Sequence, residues 1–409
     1  MRIKLSRVAV QVLALLAVAA VTGSLLVSGA SGTTTRQAAA DTPIRPAGDQ
    51  ASFTTVFKSP LGIEGLTADR QGNLYTAARG GGSPCPVTRV PATGGAAVVV
   101  GSLPAPCGPA GLAFDGAGRL FVADGERILA LTPDAANPPT ATVFASGIAG
   151  ANGVAFDPTG DLWVSDGGTG QGRVWRIGPD GVPAEVFRVQ PMANEVNLVD
   201  GVGGVGRDAR TLPPGTVTIT PTSRTAANTA GSQALVANGL AFADDGTLFV
   251  ADTARGAIWK VELDRRGGLR SPVGCDTTFT ANTLCLDNVF VAHPFLEGAD
   301  GIALDRDNNI WVAANERNAL VVVTAGGRAV EFFRNAPDQA TRLRNQGPLE
   351  FPASPFLVGR TLCVTSSDGT RRDNAPNTGG EVAPQLAEVA KISCLDQPLT
   401  IPGLPVPVR

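Results

Sequence analysis

Apolar residues along this chain recur in short runs on both sides of turns rich in Asp, Gly and Asn, a pattern typical of β-hairpins. Five segments share this layout: IEGLTADRQGNLYTA from Ile63, PAGLAFDGAGRLFVA from Pro109, ANGVAFDPTGDLWVS from Ala151, ANGLAFADDGTLFVA from Ala237 and ADGIALDRDNNIWVA from Ala299. Each copy predicts two antiparallel strands. The second residue of each segment, which precedes a glycine, changes from copy to copy while the apolar pattern is kept. This variation indicates a scaffold that carries a site.

Further strand-like runs follow the hairpins. One set comprises VTRVPA, RILALTP, RVWRIGP, AIWKVEL, ALVVVTA and EVAKISC, and a second comprises AAVVVGS, ATVFASG, AEVFRVQ, NVFVAHP and AVEFFRN. Four strands per unit, repeated at intervals of about 42 to 86 residues, favour the blades of a β-propeller.

A sixth, shorter hairpin begins at Ala353, and no outermost strand follows it. A matching run, FTTVFKS from Phe53, precedes the first repeat. We therefore predict an all-β, six-bladed β-propeller with four-stranded antiparallel blades, whose ring is closed by an N-terminal strand in the last blade. The propeller is expected over 51–396 with an insertion at 191–235, followed by a C-terminal tail over 397–409.

Composition fits a protein of many strands and turns, with 50 Gly and 31 Pro in 409 residues. The formal net charge is −3, and no basic stripe is present, so we expect no nucleic-acid partner.

The N-terminus resembles an export signal. Arg2, Lys4 and Arg7 precede an apolar run, and small residues follow near residues 30 and 40. We predict a signal peptide over 1–30, with cleavage as late as 40, and a flexible leader over 31–50. The alternative is an uncleaved membrane anchor, because weak apolar character extends to Val27. The prediction is a secreted or extracytoplasmic monomer without a stable membrane partner.

Export makes the six cysteines candidates for disulfides. In a propeller, the loop before the first strand and the loop between the second and third strands share a face, which allows one bridge between neighbouring blades. A second bridge falls within one long loop, and a third joins adjacent strands of the sixth blade. The predicted pairs are Cys85 with Cys107, Cys275 with Cys285, and Cys363 with Cys394.

The variable position of the repeats opens the innermost strand of each blade and is expected at the mouth of the central channel. Its occupants in the first five copies are Glu64, Ala110, Asn152, Asn238 and Asp300. Two carboxylates and two amides form an oxygen-donor set that suits Ca²⁺, or less selectively Mg²⁺ or Mn²⁺. The alternative is a polar lining of a wet channel, in which Asn-Gly serves as turn chemistry.

The ordered Glu-Gly, Asn-Gly, Asn-Gly and Asp-Gly pairs resemble the senescence marker protein, gluconolactonase and luciferin-regenerating enzyme family of six-bladed propellers. This resemblance implies one divalent cation, Ca²⁺ first and otherwise Mg²⁺, Mn²⁺ or Zn²⁺, and hydrolysis of lactones or related esters. It further implies that Glu64, Asn238 and Asp300 bind the metal and that Asn152 contacts metal or substrate. Asp300 would orient or deprotonate the attacking water.

Two sequence features modify this expectation. Family members that act on sugar lactones tend to carry arginine two residues before the third-blade Asn, where this chain has Gly150, which argues against sugar lactones as substrates. The lone histidine, His293, falls in a predicted outermost strand, so a Ser-His-Asp mechanism is not expected.

Long segments at 191–235 and 369–380 are predicted on the mouth face, either as a lid over the metal or as flexible surface insertions. Their arginines are candidates for contacting an anionic substrate: Arg207, Arg210, Arg224, Arg371 and Arg372.

Two functional hypotheses follow from the sequence. The first is an exported metal-dependent hydrolase of a small-molecule lactone or ester. The second is a non-catalytic extracellular propeller with NHL-like repeats that binds a protein or carbohydrate partner. A strictosidine-synthase-like propeller is a weaker third hypothesis.

Overall fold

The computed structural model describes residues 43–48, 51–80, 83–91, 95–190, 237–277, 279–337, 339, 344, 347–367 and 390–405. The predicted signal peptide, most of the leader, the whole of the 191–235 insertion and the 369–380 segment lie outside these residues. Within the described ranges, no helix has the length and apolar character needed to cross a membrane.

The described strands form six antiparallel four-stranded sheets, which confirms the predicted six-bladed propeller. From the innermost strand outwards, the first blade consists of β2 (Thr67–Ala68), β3 (Asn73–Ala77), β4 (Cys85–Pro91) and β5 (Val98–Leu103). The second consists of β6 (Pro109–Phe114), β7 (Leu120–Asp124), β8 (Arg127–Leu131) and β9 (Thr142–Ser146). The third consists of β10 (Ala151–Phe156), β11 (Leu162–Asp166), β12 (Arg173–Ile177) and β13 (Pro183–Arg188).

The remaining blades follow the same order. The fourth consists of β14 (Leu240–Phe242), β15 (Leu248–Asp252), β16 (Ala257–Val261) and β17 (Val289–Ala292). The fifth consists of β18 (Ala299–Leu304), β19 (Ile310–Ala314), β20 (Ala319–Val323) and β21 (Ala329–Arg334). The sixth is β22 (Pro352–Val358), β23 (Thr361–Ser366), β24 (Lys391–Leu395) and, outermost, β1 (Phe53–Lys58). Three short 3₁₀ helices lie in the loops: η1 (Leu286–Asn288), η2 (Pro294–Leu296) and η3 (Asn315–Arg317).

The sixth blade contains strands from both ends of the chain. Phe53 pairs with Leu395 and Lys58 with Lys391, so β1 runs antiparallel to β24. The side chains of Thr54 and Asp396 add a hydrogen bond of 2.7 Å. The described N-terminal strand thus supplies the outer strand that the sixth repeat lacks.

The hydrophobic core lies between the blades. Each pair of neighbouring blades buries an apolar cluster, such as Trp163 and Phe187 of the third blade against Leu240 and Trp259 of the fourth. Corresponding clusters fill the other interfaces around the ring. Because apolar burial is the main favourable term in folding, blade-to-blade packing determines where the inner strands lie.

In four blades, an Asp in the hairpin turn opposite the mouth lies six residues before an aromatic residue. Asp157 accepts the Trp163 indole N–H at 2.9 Å, and Asp305 accepts that of Trp311 at 3.0 Å. Asp115 precedes Phe121, which has no N–H or O–H to donate, and accepts backbone N–H groups of its own turn instead. The Asp therefore organises the turn and, where the aromatic residue is a donor, also fixes that side chain.

The three disulfides join the pairs that the sequence predicts, Cys85–Cys107, Cys275–Cys285 and Cys363–Cys394. The last pair lies directly opposite in the β23–β24 ladder. Such bridges are typical of proteins in an oxidising compartment.

The described part of the C-terminal segment crosses from the sixth blade to the fifth. The Gly403 N–H donates to the carbonyl oxygen of Gly359 at 2.7 Å, and the Leu404 N–H donates to that of Leu304 at 3.3 Å. Leu404 lines the central channel beside Leu304 and Leu357, at the inner-strand ends away from the variable position. The far end of the channel is therefore apolar.

In the second and fourth blades, an Asp at the end of the second strand forms an ion pair with an Arg three residues later. The arginine side chains of the two pairs differ in solvent exposure. Asp252 and Arg255 are fully buried at 2.7 Å, whereas the Arg127 side chain beside Asp124 is 27% exposed. Removing one partner of a buried pair leaves an uncompensated charge, whereas an exposed pair contributes little.

We expect Arg255→Met to lower the free energy of unfolding by about 3–5 kcal/mol, and the control Arg127→Met, whose guanidinium is partly exposed, to lower it by a smaller amount. Chemical denaturation of both variants measures this difference. Equal losses in the two variants would contradict the assigned role of burial.

Candidate functional site

The variable residues of four blades meet at one end of the central channel. Glu64, Asn152, Asn238 and Asp300 line this channel together with the glycines that follow them. We call these four residues the mouth cluster. Asn152 and Gly153 lie within β10, and Asn238 and Gly239 pair with Ala251 of β15. The alternative that Asn-Gly forms a turn here is therefore wrong.

Close packing of neighbouring inner strands explains the glycine of each repeat. A Cβ atom at Gly239 would lie 2.5 Å from the carbonyl oxygen of Asp300, and one at Gly111 would lie 2.5 Å from that of Asn152. Heavy atoms cannot approach so closely, so these positions exclude side chains. The carbonyl of one variable residue thus packs against the glycine of the preceding blade, which brings successive variable positions side by side.

Buried hydroxyl groups of the second strands tie the inner strands to one another. Ser165 of the third blade donates to the Asn238 carbonyl oxygen of the fourth at 2.5 Å. Thr365 of the sixth blade donates to the Glu64 carbonyl oxygen of the first, also at 2.5 Å. These bonds satisfy backbone carbonyls that face the neighbouring blade and fix the backbone beneath the mouth cluster.

Glu64 is held by side chains from two directions. Asn152 donates its Nδ2 hydrogen to Glu64 Oε1 at 3.1 Å, across 88 residues of sequence. Arg79, in the loop after β3, forms an ion pair with Glu64 Oε2. The Glu64 side chain is 14% exposed, whereas that of Arg79 is 54% exposed, so the guanidinium lies on the solvent side of the mouth cluster.

Asp300 is the buried carboxyl of the cluster, with 6% exposure. Burial, reinforced by the negative charge of Glu64, raises the pKa of Asp300 well above its ordinary value. Hydrogen bonds from Asn315 and Asn238 and the charge of Arg79 act in the opposite direction. Asn315 Nδ2 lies 3.0 Å from Asp300 Oδ2, and Asn238 Nδ2 donates to Thr253 Oγ1 at 3.0 Å.

The mouth cluster fits a divalent cation by its donor chemistry. Glu64 and Asp300 repel one another in a largely buried setting, which a bound cation would relieve. Asn152 and Asn238 each carry an amide oxygen, and oxygen donors of this kind suit Ca²⁺. Among the described residues, no group of three or more His, Cys, Asp or Glu is gathered as for a metal, so the amides would be an essential part of the set.

Other sequence candidates are placed differently. Arg207, Arg210, Arg224, Arg371 and Arg372 lie outside the described residues. His293 follows β17 rather than lying in it, and its Nδ1 accepts the Phe295 N–H at 3.1 Å. The prediction that His293 lies in the outermost strand is therefore wrong, because η2 begins at Pro294 and ends the strand pairing.

The backbone explains why no side chain projects from position 150. Gly150 has a φ of +73°, and a Cβ there would lie 3.0 Å from Gly168 N. Left-handed backbone and crowding together disfavour any L side chain. Gly167 also packs closely against the Asn152 side chain. The third-blade rim of the mouth is therefore built from glycine.

Sequence reasoning missed Arg79, Asn315 and Thr253. None of them belongs to the variable column, and each contacts the cluster from the end of a second strand or the loop beyond it. Arg79 and Asn315 each directly follow an Ala-Ala pair at the end of a predicted strand, in NLYTAA and IWVAA. This shared position is the signal in the sequence that could have identified them.

A second buried acidic group, Glu297, precedes Gly298, whose carbonyl oxygen accepts the Asn315 N–H at 3.0 Å. Glu297 is 4% exposed, and burial raises its pKa to about 8, against the opposing charge of Arg317. The Glu316 charge raises this pKa further, and the Arg334 charge lowers it. A carboxyl whose pKa is raised on folding contributes stability below its unfolded pKa and loses it as pH rises through the folded value.

We therefore expect the protein to lose stability as pH rises from about 5 to 8, and Glu297→Gln to flatten this part of the profile. Denaturation at a series of pH values checks the slope. An identical slope in the variant would assign the loss to other groups.

Two buried carboxyls of the fifth blade give a contrast between site and scaffold. Asp305 accepts hydrogen bonds from Asn309 and Trp311, whereas Asp300 lies beside the like charge of Glu64.

In protein treated with a chelator, we expect Asp300→Asn to raise the free energy of unfolding by about 1 kcal/mol. Asp305→Asn should lower it by about 1–3 kcal/mol, because it loses acceptor capacity. Denaturant titration measures both, and a loss of stability in Asp300→Asn would contradict the repulsion described above.

Comparison with known proteins supports the resemblance drawn from the repeats. Residues 198–367 match the model of the SMP-30/Gluconolactonase/LRE-like region, which confirms the predicted family resemblance over less than half of the chain. A search of curated proteins found no match.

Solved structures share the fold at low sequence identity. Regucalcin from Agrobacterium tumefaciens, described as a calcium-binding protein, is 17% identical, with a TM-score of 0.54 over 87% of this chain and 96% of that one. A gluconolactonase from Xanthomonas campestris is 15% identical, with a TM-score of 0.50 over 87% and 91%. The PQQ-bound aldose sugar dehydrogenase from Streptomyces coelicolor is 16% identical, with a TM-score of 0.53 over 87% and 99%. Because these neighbours include different chemistries, they establish the fold alone.

Proposed function

We propose that this propeller, part of which matches the SMP-30/gluconolactonase/LRE-like region, is an exported metal-dependent hydrolase of a lactone or related ester. The site of the reaction is the mouth cluster. The single observation that carries this proposal is the convergence of Glu64 and Asp300 with two asparagine amides at one end of the channel.

The cation proposed for this site is Ca²⁺, with Mg²⁺, Mn²⁺ and Zn²⁺ as alternatives to be tested. Glu64, Asn238 and Asp300 would hold it, and Asn152 would contact either the cation or the substrate. A divalent cation here would polarise an ester carbonyl and make a bound water more acidic.

Asp300 is the proposed proton acceptor. Its buried carboxyl lies in the mouth cluster, where the attacking water would bind. Asn315 donates to Oδ2 and so fixes the plane of the carboxyl group. Thr253 fixes the Asn238 amide in the same way. The chain thus orients the groups that would receive the proton.

The proposed location is outside the cytoplasm. The N-terminal signal pattern and the three disulfides support it together, because disulfides persist in oxidising compartments. The proposed substrate is a small molecule that reaches the mouth cluster from solvent, and the proposed state is a monomer.

Metal analysis and hydrolysis assays test this function. We expect the purified mature protein to contain one equivalent of divalent cation and to hydrolyse a panel of lactones and aryl esters. Chelation should abolish the activity, and added Ca²⁺ should restore it. Asp300→Ala should lose the metal and reduce kcat/KM by at least about 100-fold.

Glu185→Gln on the outer strand β13 is the control and should leave both quantities unchanged. Full activity in metal-free protein would exclude the proposed mechanism. Bound metal without hydrolysis of any compound in the panel would instead favour the non-catalytic, NHL-like binding protein.

A further inference from the structure

Arg79 occupies a rigid position on the solvent side of the mouth cluster. Its backbone N–H donates to the Gly62 carbonyl oxygen at 2.8 Å, and the N–H of the next residue, Gly80, donates to Cys85 Sγ at 2.9 Å. Cys85 is in turn bonded to Cys107 of the second blade's leading loop. The backbone that carries Arg79 is therefore fixed, while its half-exposed side chain can change partners.

The Arg79 guanidinium and a cation would need the same carboxylate. Asn152 engages Glu64 Oε1 and Arg79 engages Oε2, so both oxygens of Glu64 have partners. A guanidinium only donates hydrogen bonds and carries a positive charge, so it cannot act as a ligand and is repelled by a nearby cation. Cation binding at Glu64 therefore requires that Arg79 weaken or leave its ion pair.

The ion pair is suited to such an exchange. Arg79 is 54% exposed, and ion pairs with this much exposure contribute about 1 kcal/mol or less. A released guanidinium in this position stays beside the mouth cluster and presents a planar pair of donors. Carboxylates and oxyanions are the groups that bind such donors best.

The opposite rim offers room for a substrate. Among the described residues, Gly167 packs against the Asn152 side chain and Gly168 against Gly150, and none of these glycines projects a side chain. A ligand lying over the cluster would thus meet glycine backbone on the third-blade side and the Arg79 guanidinium on the first-blade side. This asymmetry would orient an anionic substituent towards Arg79.

We propose that Arg79 is a specificity-determining residue that holds Glu64 in the metal-free protein and, once a cation is bound, turns to bind an acidic group of the substrate. This inference rests on the proposed function and narrows its substrate class to lactones or esters that carry a carboxylate. The cation and Arg79 compete for Glu64, so binding of metal and exposure of the anion site are coupled.

Calcium titration of chelator-stripped mature protein tests the competition without any activity measurement. We expect Arg79→Gln to bind Ca²⁺ about fivefold more tightly than wild type, because the competitor is gone. Arg79→Lys should stay close to wild type, because it keeps the charge. Arg127→Gln, an arginine paired with Asp124 rather than with the mouth cluster, is the control and should bind Ca²⁺ as wild type does.

Hydrolysis of a matched pair of lactones tests substrate selection. For γ-butyrolactone bearing a carboxylate, Arg79→Gln should raise KM about tenfold or more with a smaller change in kcat. For unsubstituted γ-butyrolactone, KM should be unchanged. Arg79→Lys should recover part of the loss with the charged lactone, which a purely structural role would not produce.

The outcomes separate this inference from the proposed function. Unchanged or weaker Ca²⁺ binding by a folded Arg79→Gln, or an equal rise in KM for both lactones, would overturn the inference while leaving the hydrolase intact. Failure of wild type and variant alike to bind Ca²⁺, Mg²⁺, Mn²⁺ or Zn²⁺ would overturn both. Tighter binding in the variant, with no hydrolysis by either protein, would refute the hydrolase and the substrate role of Arg79 and support the competition for Glu64 alone.

Discussion

The architecture depends on the close approach of neighbouring inner strands. Where Gly239 meets the carbonyl of Asp300, and Gly111 that of Asn152, no side chain fits, so the backbones of successive blades pack directly against each other. This contact leaves the residue before each glycine at the channel mouth and holds it near its counterpart in the next blade. The same constraint that packs the ring therefore also assembles Glu64, Asn152, Asn238 and Asp300, which are far apart in sequence.

The neighbouring carboxylates of Glu64 and Asp300 repel one another at the mouth, and the surrounding residues reduce this repulsion without removing it. Asn315 donates to Asp300, and Arg79 pairs with Glu64, yet burial and the facing carboxylate still raise the pKa of Asp300. Burial also raises the pKa of Asp305 in the same blade, but this carboxyl faces hydrogen-bond donors from Asn309 and Trp311 rather than a second carboxylate. One carboxyl stabilises a turn, and the other stores unfavourable electrostatic energy where a cation could release it.

The repeated hairpin allowed the blades, the variable column and the disulfide pairs to be predicted, because local turn chemistry and strand alternation are written in each copy. The partners of the column could not be predicted in this way. Arg79, Asn315 and Thr253 occur at equivalent places in three different blades but are three different residue types, so no repeat signal marks them. The crossing of Leu404 to the fifth blade was missed because a few backbone contacts after the last strand follow no periodicity. The end of β17 before His293 depended on the Pro294 turn, which an apolar run alone does not reveal.

The shared sixth blade has a consequence for how the molecule is made. Thr54 and Asp396, joined by a hydrogen bond, are separated by 342 positions, so the ring cannot close until almost the whole chain has been synthesised. A chain translocated from its N-terminus would expose the edge of β1 throughout this period. Contacts between such distant residues are slow to form. Cys363 and Cys394 bond β23 to β24, and so an oxidised chain presents a preassembled edge on which the first strand can dock. A chain that ends before β24 therefore cannot complete the sixth blade.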